Sequence, residues 1–116
     1  MRPADYTYKA GDTKPDLRMQ CLDGTGQPID LTGASVEFHL SDTGWWGASG
    51  ALVINAAAVV EAGVNGWVHY TFAVDQTSSF EGMMQAEFQV TYVGGAVETF
   101  PNGRNLSVYF TPDLGD

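Results

Sequence analysis

The sequence predicts an all-β fold, an antiparallel sandwich of immunoglobulin-like size with about seven or eight short strands. Three observations lead there. Apolar and polar residues alternate with a period of two in several windows, the mark of a strand with one buried and one wet face. Turn residues recur between those windows, among them Gly94-Gly95, Asn65-Gly66 and Pro101-Asn102-Gly103. No window holds a helical period, and the nearest, 56–61, is too short and too β-branched to stand as a helix.

The strongest local signal is the stretch 83–102. Ala86, Phe88, Val90 and Tyr92 share one side of a strand, and Gln85, Glu87, Gln89 and Thr91 share the other. Gly94-Gly95 supplies the positive φ of a tight two-residue turn, and 96–100 returns as a second strand.

The other elements follow in chain order. Residues 4–9 place Tyr6 and Tyr8 on one face of a first edge strand. In 16–22, Leu17, Met19 and Cys21 oppose Arg18, Gln20 and Leu22, and Asp23-Gly24-Thr25-Gly26 turns the chain. In 34–41, Val36, Phe38 and Leu40 alternate with Glu37, His39 and Ser41. A glycine-rich loop, 42–50, carries Trp45-Trp46, and 51–61 resumes an apolar, strand-like course. In 67–73, Val68, Tyr70 and Phe72 share one face and Trp67, His69 and Thr71 the other. Residues 74–81 read as a loop or one helical turn begun at Asp75, and 104–111 forms the last strand. A small barrel is the competing architecture.

At 116 residues the chain has the length of one domain, 1–116, whose segment 1–15 is open to an extended course. With 44% hydrophobic and 16% charged residues it is a folded chain, not a disordered one. A net charge of −9 with five basic residues opposes binding to nucleic acid or to an anionic membrane. The N-terminus is polar and no apolar run reaches membrane-spanning length, so neither a signal peptide nor membrane insertion is expected. The single cysteine, Cys21, is expected to be buried and structural, as suits a fold made in a reducing cytoplasm.

Chemistry is not apparent. His39 and His69 lie on the polar sides of their strands with no further zinc ligands in view. The six serines lack a Gly-x-Ser-x-Gly elbow. Glu37 and Glu87 could be imagined as a glycosidase pair, but glutamates on a wet sheet face are ordinarily solvated. No catalytic residue, metal site or cofactor is therefore expected, and the chain reads as no enzyme. Trp45-Trp46 does ask for explanation: adjacent residues of a loop cannot both enter one core. They serve either as an interface or as a plug folded over the sandwich edge. The expected interface residues are Trp45, Trp46, Tyr6 and Tyr8.

The order of motifs carries a resemblance. Residues 30–40 (DLTGASVEFHL), 65–72 (NGWVHYTF), 85–92 (QAEFQVTY) and 98–102 (ETFPN) resemble the N-terminal domain of phage baseplate upper proteins, over roughly 16–114. This implies a structural virion protein of the tail, baseplate or neck, made in the host cytoplasm. Its expected partners are other virion proteins, met in several copies in a symmetric assembly. Because the sequence stops at Asp116, an adaptor or decoration role is favoured over receptor binding. Capsid decoration and a carbohydrate-binding sandwich using Trp45, Trp46 and Trp67 are the alternatives.

Overall fold

The computed structural model describes residues 5–42, 52–61, 63–78, 80–101 and 106–111. Among them are nine strands: β1 (Tyr6–Lys9), β2 (Leu17–Gln20), β3 (Ser35–Ser41), β4 (Leu52–Ala57), β5 (Val59–Val60), β6 (Trp67–Tyr70), β7 (Gly82–Thr91), β8 (Val97–Phe100) and β9 (Leu106–Thr111). One helical turn, α1 (Val74–Thr77), and a 3-10 turn at Gly63–Asn65 complete the secondary structure. The all-β sandwich is what the alternating pattern calls for.

Six strands form one sheet in the order β1-β9-β7-β3-β4, with β8 on β7 beside β9's end. Three form the second sheet, β2-β6-β5. The long β7 organises the larger sheet: β3 runs along one side of it, while β9 takes residues 82–86 and β8 takes 88–91 on the other. First and last strands lie side by side, β1 parallel to β9 with Tyr8 opposite Phe110.

The strand count exceeds the sequence reading because 51–61 is not one strand. Residues 52–57 pair with β3 in the large sheet, and 59–60 pair with β6 in the small one. Ala58 is the crossing point, its N–H bonded to the Val36 carbonyl at 2.9 Å. A period-two pattern marks extended backbone but not which sheet it joins, so sequence alone cannot divide this run.

The inner faces meet in one aromatic core. Phe38 of β3 stacks on Tyr70 of β6 at 4.5 Å, bridging the sheets, and meets Phe88 at 5.2 Å and Phe72 at 5.8 Å. Tyr8 joins at its other end, 5.2 Å from Phe72 and 5.7 Å from Phe110. Edge-to-face and offset contacts of this kind add roughly 0.5–1.5 kcal/mol each beyond buried area.

Two turns refine the expectations. The β7–β8 connection is a three-residue loop rather than a two-residue one: Tyr92 N–H donates to the Ala96 carbonyl at 2.8 Å and Gly95 N–H to the Tyr92 carbonyl at 2.9 Å. Gly94 and Gly95 both hold φ near 99°, as the sequence requires. Helical turn α1 is capped by Gln76, whose Oε1 accepts from the Ala73 N–H at 2.9 Å, two residues before the Asp75 start. Among the described residues no helix is long and apolar enough to cross a membrane.

Candidate functional site

The outer face of the small sheet is built by alternation. Leu17 and Met19 of β2, and Val68 and Tyr70 of β6, point at the core, which leaves Arg18, Gln20, Trp67 and His69 outside. Register places Arg18 opposite His69 and Gln20 opposite Trp67. Arg18 lies across the Trp67 ring, its Cζ 3.9 Å from the centroid, a cation–π contact. From there its Nε reaches both Glu61 oxygens, at 3.0 and 2.9 Å. His69 Nδ1 meets the same carboxylate at 2.9 Å. Arg18 holds the Glu61 carboxyl below the usual carboxylate range, with His69 adding to the effect. Behind it, the Tyr6 hydroxyl donates to the Arg18 carbonyl and the Gln20 amide to the Asn65 carbonyl at 2.9 Å. This is a platform in which a tryptophan, a guanidinium and a carboxylate hold one another, with the Arg18 side chain still 49% exposed.

A second polar cluster occupies the outer face of the large sheet. His39 sits opposite Glu87 on β7 and Asn55 on β4. Its Nδ1 is 2.9 Å from Glu87 and its Nε2 3.4 Å from Glu37. Glu37 and Glu87 thus flank an imidazole rather than form the separated pair that glycoside cleavage requires.

The two histidines lie on outer faces of different sheets, so they cannot converge on one ion. Among the described residues no group of three or more His, Cys, Asp or Glu side chains could hold a metal. Cys21 is fully buried, as expected, and burial pushes its thiol up to about 12, leaving no thiolate nucleophile near neutral pH. Asp23 and Asp30 spend their charge locally. Each caps its own turn, accepting from Thr25 and Gln27 or from Thr32 at 2.6–3.0 Å, and these bonds lower both carboxyls.

Of the expected interface residues, Trp45 and Trp46 lie outside the described residues. Tyr8 is a core residue, 3% exposed, its hydroxyl donating to the Pro15 carbonyl at 2.8 Å; packing against Phe72 and Phe110 takes the ring out of any surface contact. Tyr6 is half-buried, and its hydroxyl donates to the Arg18 backbone carbonyl. The Arg18–Trp67–Glu61 platform did not emerge from the sequence, since 43 residues separate Arg18 from Glu61 and only the strand order β2-β6-β5 joins them.

No family model matches the chain, and no curated protein matches it. Among solved structures the fold is similar to CopC from Methylosinus trichosporium OB3b, with a TM-score of 0.51 and 14% identity over 95% of this chain and 86% of that one. This corrects the expectation of a phage tail, baseplate, neck or capsid protein, for the sandwich that suggested a virion module is one that a CopC protein has. The physical reason is plain in the core. Leu31, Val36, Phe38, Val68, Tyr70, Phe72, Phe88, Val90 and Phe100, which carry the resemblance, are buried residues that build a sandwich and do not define its use. The carbohydrate alternative loses Trp67 as an open stacking surface, because Arg18 occupies a face of its ring.

Proposed function

We propose that the chain is a non-catalytic binding module that recognises a basic protein partner through the outer face of its small sheet. The observation that carries this reading is the guanidinium of Arg18 held over Trp67 and fixed by Glu61 at 2.9 Å. Tryptophan and arginine are the residues most enriched where a few side chains dominate protein association. Their order before binding spares the entropy that mobile side chains lose at an interface. Arg18 adds no local excess of positive charge, because Glu61 balances it, and the whole chain carries −9. A partner of opposite sign would be steered toward it, and the steering would fall with salt as the screening length shrinks to ~10 Å at 0.1 M.

The experiment is site-specific photo-crosslinking from Gln20, beside Trp67 on β2, with Val97 on the exposed flank of β8 as the control position. In extract from the source cells, one discrete product is expected from position 20 and not from position 97. It should weaken at high salt and disappear in the double variant Arg18→Ala, Trp67→Ala. Identical products from both positions, or a product indifferent to the double variant, would remove the small-sheet face from the function.

A further inference from the structure

The guanidinium of Arg18 is only partly used by the protein itself. Arginine carries five N–H donors and no acceptor. Among the described residues the Arg18 side chain donates through Nε alone, to the two oxygens of Glu61. The four N–H groups of Nη1 and Nη2 have no acceptor among those residues. Register explains the arrangement. Arg18, His69 and Val59 form one rung of the small sheet, and Gln20 pairs with Trp67 in the next, where the Glu61 N–H donates to the Trp67 carbonyl. The Arg18 side chain leaves its own rung and crosses the Trp67 ring to reach Glu61, the residue after β5. Trp67 thus covers one flat side of the guanidinium and Glu61 takes the Nε edge. What remains for a ligand in the guanidinium plane is the Nη edge.

The chemistry of that edge selects its ligand. Two N–H groups in a planar fork match the two oxygens of a carboxylate, and a side chain already held in place loses little freedom in gripping one. Because Glu61 balances the charge, the subsite offers donor geometry more than net attraction. A phosphate would also fit the donors, but its second charge meets Glu61, a chain of −9 and Asp16. Asp16 lies two residues from Arg18 on the same side of β2, accepting from the Thr71 hydroxyl at 2.9 Å. A chain terminus is captured by spare backbone N–H groups. None is to hand on this face, since β6 beneath the Trp67 ring is paired on both sides. A side-chain carboxylate needs no such groups, and exposed Val59, outward beside His69, gives its methylenes an apolar neighbour.

We propose that the Nη edge of Arg18 is a subsite for a side-chain carboxylate, an Asp or Glu presented by the protein partner. This rests on the partner reading above and names the group that Arg18 grips. A net positive partner and a single gripped carboxylate are compatible, because steering sums many charges whereas contact is made by one pair.

Magnetic resonance of the guanidinium nitrogens in the full chain tests it, with circular dichroism confirming that each variant folds. The chain has three arginines, so Arg2 and Arg104 serve as references within the same sample. Acetyl-glutamate α-amide carries the side-chain carboxylate, its isomer acetyl-glutamine carries the terminal one, and methyl phosphate carries the phosphate. Acetyl-glutamate α-amide should saturate the Arg18 Nη shifts at a concentration at least about tenfold below that needed at Arg2 and Arg104. Arg18→Lys keeps the charge and loses the fork, and it should abolish the accompanying shift of the Trp67 indole N–H. An Arg18 response no tighter than those of Arg2 and Arg104 overturns the subsite, as does a Trp67 shift that survives Arg18→Lys. Equal or tighter saturation by acetyl-glutamine or methyl phosphate overturns the side-chain carboxylate as its ligand. Cross-linking from position 20 separates this inference from the reading beneath it. A specific product without an acetyl-glutamate α-amide response removes the subsite alone, and a response without a product removes the protein partner alone.

Discussion

At the scale of single residues, Gly66 illustrates a position where backbone and neighbours leave no choice. Its φ is +75°, and a Cβ there would lie 2.6 Å from the Cys21 carbonyl oxygen and 3.0 Å from that of Ile29. The approach is close because Cys21 N–H donates to the Gly66 carbonyl at 2.7 Å, tying β2's end to the turn before β6. Gly94 has a similar φ but open space around it, so a side chain there meets only the torsional penalty. Gly66→Ala should therefore cost roughly 2–4 kcal/mol and Gly94→Ala roughly 1 kcal/mol, the difference being the steric clash with backbone that cannot swing away. Urea unfolding midpoints of the two variants check the ranking, and equal midpoints would contradict it.

At the scale of elements, much of the sandwich was legible and the reasons differ by element. Val36, Phe38 and Leu40 of β3, and Ala86, Phe88 and Val90 of β7, are buried as their alternation demands, since one face of each strand touches the core. The division of 51–61 at Ala58 was not legible, because transfer between sheets leaves the period unchanged. The platform of Arg18, Trp67, Glu61 and His69 was hidden for a related reason: side-chain direction can be read locally, but strand neighbours cannot. Strand β1 shows both sides of this. Tyr6 and Tyr8 do share a face, yet that face docks on the core through parallel pairing with the last strand, a partner a hundred residues away. Packing should outweigh hydrogen bonding in holding β1. Tyr8→Phe deletes the bond to Pro15 and should cost about 1 kcal/mol, whereas Tyr8→Ala also empties the space against Phe72 and Phe110 and should cost about 3–5 kcal/mol. Thermal and urea denaturation of both variants distinguish the terms. A Tyr8→Phe loss as large as that of Tyr8→Ala would make the hydroxyl the anchor instead.

At the scale of the whole molecule, titration sets a window within which the sandwich holds. On the acid side, Glu61 is lowered by Arg18, and Asp23 and Asp30 by their turn bonds. A lowered folded pKa gives stability that is present above the unfolded value, about 4, and lost as pH falls through the folded one. The alkaline side has a separate cause. Burial raises the Cys21 thiol to about 12, burial and then the hydrogen bond to Glu98 raise Tyr92 to about 12, and burial raises Tyr6 and Tyr8. For acids whose folded pKa is raised, the sign reverses: the contribution is complete below the unfolded values, about 8.5 for cysteine and 10 for tyrosine, and drains away as pH rises toward the folded ones. Unfolding releases protons from these groups, so base favours the unfolded chain. The growing negative charge on a molecule already at −9 acts in the same direction. Stability measured by urea titration should thus fall steadily between about pH 9 and 12. Tyr92→Phe should flatten that fall above about pH 10 while leaving the acid limb unchanged, since it removes one proton released on unfolding and touches no carboxylate turn. A wild-type stability that stays level to pH 12 would mean that the buried phenols and thiol are already ionised in the folded state.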